Sequence, residues 1–242
     1  METGFNIDKL LENSFEKIGI NIDSKTVERF IIYKDMLLSW NEKMNLTAIT
    51  DEREVILKHF VDSAAVCVSK NLYEKSVIDV GTGAGFPGIP VKLVNLKANV
   101  TLIDSQKKRL NFIENVLSKM EIYDVNIIHM RAEDAGHDPN LREKFDFCMS
   151  RAVSQLNILL EYSIPLLKVG GESICLKGPD VTEEINTAKE ALKVLKSKIL
   201  DIKKVNIPYT DITHSIISIK KLGQTPPQYP RRPSKITKSP IK

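Results

Sequence analysis

No stretch of the 242 residues approaches the roughly 20 consecutive apolar residues of a membrane span, so a bilayer-crossing helix is not expected. Met1 to Asp8 lack the basic-then-apolar pattern of an export signal, and the cytoplasm is the expected compartment. Cysteine is scarce: Cys67, Cys148 and Cys175 are odd in number, far apart and set among apolar residues. That argues against a disulfide framework and fits buried thiols in a reducing environment. His59, His129, His137 and His214 show no ligand spacing, and no metal is expected. The chain also lacks any repeat of about 20–50 residues.

Acids are missing from one place. Between Gly223 and Lys242 stand five basic residues (Arg231, Arg232, Lys235, Lys238, Lys242), five prolines (Pro226, Pro227, Pro230, Pro233, Pro240) and no carboxylate. Taking those five from the 35 basic residues leaves 30 against 31 acids, so the net charge of +4 is concentrated in the tail. Such composition favours extended chain and suits a polyanion, against the plainer reading of a solvated terminus.

What is present divides the chain. With 42% hydrophobic residues it can bury a substantial core. Residues 1–70 read as a helical extension. Ile7, Leu10, Leu11, Phe15 and Ile18 keep helical spacing up to a stop at Gly19, and Asp23 or Ser24 caps a second helix carrying Val27, Phe30, Ile31, Leu37 and Leu38. Asp51 caps a third, through Val55, Leu57 and Phe60 toward Val68. From Ser76 the period changes. Strands are expected at 76–80, 100–104, 125–130, 145–149, 172–177, 199–208 and 214–221, with helical patterns at 87–96, 106–120, 153–168 and 181–196 and a shorter one at 132–143. The alternation predicts an α/β domain over 71–222, a parallel sheet with helices on both faces, closed by a hairpin at Tyr209-Thr210-Asp211. Residues 223–242 form the basic tail.

The most specific stretch is Asp79-Val80-Gly81-Thr82-Gly83-Ala84-Gly85, where a strand ends in a glycine turn that opens a helix near Pro87. Gly81, Gly83 and Gly85 allow positive φ and close approach of a ligand. Phe86 breaks the dinucleotide G-x-G-x-x-G spacing. A carboxylate at the strand end would repel a pyrophosphate yet pair with an ammonium group; S-adenosylmethionine carries such an ammonium and no phosphate. Asp104 ends the next strand, where an acid accepts hydrogen bonds from both ribose hydroxyls; the plainer and weaker reading is a helix cap beside Ser105-Gln106. Ligands of open α/β sheets sit beyond the strands' carboxyl ends. Asp79 to Gly85, Asp104, Ala132-Glu133 and Ser150-Arg151 are therefore expected to converge, with Glu133 at an adenine edge, the Ala132 backbone as donor and Arg151 at the rim. Taken singly, Glu133 is an exposed loop carboxylate and Arg151 half of an ion pair. Lys107-Lys108-Arg109 reads as a solvated helix face.

Together these residues resemble the small-subunit ribosomal RNA methyltransferase G family, also called glucose-inhibited division protein B. The likeness covers most of the chain: Asn41 to Thr47 (NEKMNLT), Lys58 to Ser63 (KHFVDS), Asp79 to Pro90 (DVGTGAGFPGIP), Ser150-Arg151-Ala152 and Lys177-Gly178. It implies a class I S-adenosylmethionine-dependent methyltransferase fold, a Rossmann-like seven-stranded sheet, with S-adenosylmethionine as cofactor. It also implies methylation of N7 of one guanine, position 527, of bacterial 16S rRNA, free or in a small-subunit assembly particle. Gly81, Phe86, Asp104, Ser105, Gln106, Ala132, Glu133 and Arg151 are implied in cofactor binding. Arg231, Arg232, Lys235 and Lys238 are the candidate RNA contacts, although Ser234 and Ile236 depart from the family's glycine and proline there. No catalytic residue is expected, because N7 has no proton to lose, and the protein is expected to be a monomer. The glycine spacing and Asp79 oppose a nicotinamide dinucleotide. A non-catalytic assembly factor that binds S-adenosylmethionine stays open on the sequence alone.

Overall fold

The computed structural model describes residues 6–68, 70–151 and 154–242, so Ala152 and Val153 of the strand-four motif lie outside the described residues. Helix α1 (Ile7–Lys17) starts where the Asn6 side chain accepts from Lys9 N, and α2 (Ser24–Met44) where Asp23 accepts from Thr26 N at 2.8 Å. α2 stops at Asn45, whose φ of 49° puts it in the left-handed region. Asp51 caps the next segment as expected, but the segment is not one regular helix. It runs through α3 (Glu52–Glu54), a π-helix at Val55–Val61, α4 (Asp62–Ala64) and a 3-10 turn at Ala65–Val68. The wider π turn is the correction that matters, because such turns re-aim side chains and recur at functional sites. Here it carries Lys58 and His59 and ends beside Asp62.

Strands β1 (Ser76–Val80), β2 (Asn99–Asp104), β3 (Val125–His129), β4 (Phe145–Arg151), β5 (Leu167–Lys177), β6 (Ser197–Asn206) and β7 (Thr213–Lys221) form one sheet in the order β3-β2-β1-β4-β5-β7-β6. All pairs are parallel except those of β7 with β5 and β6. The helices between them are α5 (Gly88–Val94), α6 (Lys107–Lys119), α7 (Ala132–Ala135), α8 (Leu156–Ser163), α9 (Thr182–Thr187) and α10 (Lys189–Val194). Three differ from the sequence expectation for local reasons. The 132–143 pattern shortens to α7, α8 gives way to a 3-10 turn holding Pro165, which has no N–H to donate, and 181–196 splits in two.

Successive strand residues feed opposite faces. Val77 and Ile216 belong to an apolar cluster shared with α1, α2 and the π-helix, whereas Ile78, Ile217 and Ile219 belong to a second cluster with α8 and α10. The first cluster runs unbroken from Leu11 and Phe30 to Leu102 and Leu176, so the helical extension shares the sheet's core.

The tail corrects the composition. Instead of extended chain, it ends in α11 (Pro233–Lys238) with Ile236 wholly buried and Ile241 against the second cluster. Arg231 meets Glu161, itself wholly buried, through Nε and Nη2 at 2.8 Å. Arg142 donates to the carbonyls of Tyr229 and Thr225.

Candidate active site

The order of strands reverses beside β1, and ligands of open sheets bind at such a switch point. The loop after β1 is tied down there. Gly81 and Thr82 donate to Ile103 O at 3.0 and 3.1 Å, and Gly83 N donates to Asp104 Oδ2 at 2.9 Å. Gly81, Gly83 and Gly85 all have positive φ. A cavity of ≈ 310 Å³ opens above them, lined by Gly81, Asp104, Ser105, Ala132, Glu133 and Arg151 among the expected residues. Val80, Ile103, Arg109, Met130, Arg131 and Tyr162 complete the wall; the sequence reading assigned them no role there.

Five expected residues stand behind the wall. Gln106 N donates to Asp104 Oδ1 at 2.8 Å, and so fixes the carboxylate rather than lining the cavity. Gly83 does the same from the loop side, and Gly85 packs against Tyr33 and Ile89, where a Cβ would come within 2.7 Å of Tyr33 Oη. Phe86 stacks between Tyr33 and His59, with centroids 5.4 and 4.6 Å away. Asp79 was expected to face a ligand ammonium. It is wholly buried beneath the loop instead, with Oδ2 accepting from Thr82 Oγ1 at 2.6 Å and Gly88 N at 2.9 Å. Its Oδ1 has no partner among the described residues, and burial pushes its pKa up to about 6. Gly88 was missed by the sequence reading: a Cβ there would lie 2.8 Å from Asp79 Oδ2.

The residues present suit S-adenosylmethionine. Asp104 is 4% exposed and held from both sides, yet its oxygens keep lone pairs for vicinal hydroxyls. Glu133 adds a second buried carboxylate to the lining, and Arg109 and Arg131 lie 3.7 Å from the two acids, so the wall mixes both signs of charge.

Arg151 is both a wall of this cavity and half of an ion pair. Its Nη1 donates to Lys58 O at 2.9 Å and Asp62 Oδ2 at 3.2 Å, its Nη2 to His59 Nδ1 at 2.9 Å, and its Cζ lies 4.7 Å above the Phe86 ring. Arg151 also lines a second cavity of ≈ 610 Å³ with Lys58, His59, Asp62, Ser154, Lys177, Glu184 and His214, closed by Ile49, Leu176, Gly178 and Ile212. Lys58, His59 and Asp62 reach it from the π-helix and α4, and Lys177 and His214 from the ends of β5 and β7. Asp62 Oδ1 takes a 2.6 Å bond with His214 Nδ1, which raises the imidazole's pKa. The Lys58-to-Ser63 motif, Arg151 and Lys177-Gly178 were the sequence signals that fall on this cavity. His214 lacked one, because its partner lies 152 residues away.

Fold and loop together define a class I S-adenosylmethionine-dependent methyltransferase. The backbone is similar to TYW2 of P. horikoshii in complex with MeSAdo (TM-score 0.53, 14% identity, 66% of this chain and 61% of that one) and to the ribosomal protein L11 methylase of Lactobacillus delbrueckii subsp. bulgaricus (0.53, 17%, 69% and 80%). The pattern of the rRNA small subunit methyltransferase G family matches residues 26–213, and the chain belongs to that family. It is 47% identical to the ribosomal RNA small subunit methyltransferase G of Alkaliphilus metalliredigens, over 96% of this chain and 98% of that one. It is 49% identical to that of Thermoanaerobacter pseudethanolicus, over 97% and 98%. Among the described residues no helix is long and apolar enough to cross a membrane, and no cluster of His, Cys, Asp or Glu could hold a metal ion.

Proposed function

We propose that this enzyme methylates N7 of a single guanine, position 527 of bacterial 16S rRNA, in the cytoplasm, as a monomer acting on the RNA or a small-subunit assembly particle. The observation that carries the reading is Arg151 as the common wall of two cavities. In this assignment Asp104, Ser105, Ala132 and Glu133 hold the nucleoside side of S-adenosylmethionine in the first cavity, with Gln106 fixing the Asp104 carboxylate and Gly81, Gly83, Gly85, Phe86 and Asp79 shaping the loop. The second cavity admits the base. Bound S-adenosylmethionine supplies an electrophilic methyl on a sulfonium.

Guanine N7 presents an in-plane lone pair and no proton, so its attack on that methyl carbon would form the nitrogen–carbon bond as the sulfur–carbon bond broke, would leave the electron pair on the thioether, and would need no general base. The side chains around Arg151 fit that chemistry. Asp62 is bonded on both oxygens, to His214 and Arg151, and His59 Nδ1 accepts from Arg151. Their task is to fix Arg151 and the cavity wall. Alignment and exclusion of water are worth about 7–11 kcal/mol in well-oriented systems.

The test is to map methyl groups in rRNA from a strain lacking the gene, with and without complementation. Borohydride and aniline should cleave at one guanine only when the enzyme is present. Methyl found on an exocyclic amine or a ribose overturns the N7 assignment.

A further inference from the structure

The second cavity has one conspicuous acceptor left over. Asp62, His59 and Arg151 are occupied with one another, and Lys58 Nζ is paired with Glu54. Lys177 Nζ reaches Ser154 O and, at 2.6 Å, Glu184 Oε2. That same Oε2 also accepts from Leu156 N at 2.9 Å, so Glu184 caps the start of α8 while being gripped by a cation. One oxygen is thereby fixed. The other, Oε1, has no partner among the described residues, and the side chain is 31% exposed at the cavity. A carboxylate pinned by one oxygen and open at the other is a preorganised hydrogen-bond acceptor.

We propose that Glu184 reads the Watson–Crick edge of the acceptor base, accepting hydrogen bonds from N1–H and the 2-amino group of guanine. This rests on the assignment of the second cavity to the base under Proposed function. Guanine presents two adjacent donors on that edge. Adenine presents an acceptor, N1, beside its amino group, and would set a lone pair against the carboxylate. The order of strands fixes the orientation. β4 lies between β1 and β5, so Arg151 stands on the cofactor side of the cavity and Lys177, with Glu184, on the far side. N7 lies on the edge next to the Watson–Crick edge, roughly at right angles to it, and the 2-amino group is the corner farthest from N7, so a base that turns N7 toward the first cavity can present N1–H and the 2-amino group to Glu184.

The contact does more than select. As the methyl group transfers, positive charge spreads over the purine and N1–H becomes a stronger donor. A carboxylate already in place stabilises that developing charge more than the neutral ground state. Glu184 is thus a specificity-determining residue whose loss acts on kcat.

The experiment compares target RNA carrying guanosine with RNA carrying inosine at the acceptor position, which deletes only the 2-amino group, in the wild type and in Glu184→Gln. The wild type should prefer guanosine about 10- to 100-fold in kcat/KM, the range of one hydrogen bond to a charged group. Glu184→Gln should be slow on guanosine, chiefly in kcat, and should lose most of the inosine penalty. Cofactor affinity by calorimetry should stay within about twofold. A wild type that accepts both RNAs equally overturns the proposal without needing the variant. So does a variant that keeps the full inosine penalty, since a residue that only caps α8 would leave base discrimination intact. Mapping the product in the same reactions separates the two readings: N7-methylguanosine with no discrimination sinks Glu184 alone, whereas methyl at another atom sinks the cavity assignment beneath it.

Discussion

His59 is locked into one protonation form by its neighbours. A guanidinium only donates, so Nδ1, which faces Arg151 Nη2, must accept, and Nε2–H donates to Thr47 Oγ1 at 2.7 Å. Burial, reinforced by the Arg151 charge, lowers its pKa to about 3. The folded value lies below the unfolded 6.5, so the unfolded chain takes up the proton first. The stabilising contribution is complete above about pH 6.5 and is lost as pH falls toward 3, by up to about 1.4 kcal/mol per pH unit. Ring nitrogen NMR shifts at pH 5 should report a neutral imidazole protonated on Nε2. The wild type should also lose more stability to urea between pH 7 and 5 than His59→Gln does. A ring titrating near pH 6.5 would refute the locked form. Two glycines of the loop give a second residue-scale contrast. A Cβ at Gly83 meets nothing within 4 Å, although its φ of +61° makes any side chain strained, by about 1–3 kcal/mol. Gly83→Val should therefore fold with reduced stability and lose S-adenosylmethionine binding in calorimetry, because the new methyls project from the cofactor loop. Gly88→Val should fail at folding itself, since its Cβ falls on Asp79 and Leu102. If both variants fold and bind alike, the loop packing is wrong.

At the scale of elements, the tail shows what composition cannot read. Five prolines and five cations without an acid gave no hint of packing, because the groups that hold the tail are remote. Glu161 lies 70 residues from Arg231, and Arg142, which grips the carbonyls of Tyr229 and Thr225, lies in a stretch that read as helix. The π-helix was illegible for the same reason: its apolar spacing passes for an α-helix, and only Arg151, accepting no bonds of its own, shows why Lys58 O and His59 turn inward. Strand ends were legible because an apolar β-rich run followed by an acid or glycine is a local signal, and six of the eleven named cofactor residues then lined one cavity. The tail is also coupled to that cavity. Pro230 packs on Gly136 at the end of α7, which carries Ala132 and Glu133, while Tyr162 follows Glu161 in the wall. Arg231→Met would leave Glu161 buried without its partner, at a cost of about 3–5 kcal/mol. Urea denaturation should show that loss, with most of it recovered in Glu161→Gln/Arg231→Met, and S-adenosylmethionine affinity should fall in the single variant. An unchanged midpoint in the single variant would mean the ion pair is dispensable.

For the whole molecule, the question is where a nearly neutral body meets a polyanion. Removing the tail is a poor probe, because it would strip the ion pair and the buried Ile236 together with the charge. Arg231 is already spent on Glu161 and contributes little net field outward. Arg232, Lys235, Lys238 and Lys242 are exposed, and they lie on or beside α11 with Ile236 anchoring the helix to the body. Replacing these four by Gln leaves that anchor and the ion pair in place, so folding should be retained, which thermal melts can verify. If the RNA-contact assignment is right, each phosphate neutralised in a single-stranded loop contributes about 0.7 to the slope of log affinity against log salt. Four full contacts would give about 2.8, and partial engagement a flattening of about 1 to 2.5 in the quadruple variant. S-adenosylmethionine binding should be unaffected, since none of the four side chains lines the cofactor cavity. Equal salt slopes for the two proteins would move the RNA surface to the body, where Lys107, Lys108 and the Asn41-to-Thr47 segment beside the second cavity are next in line.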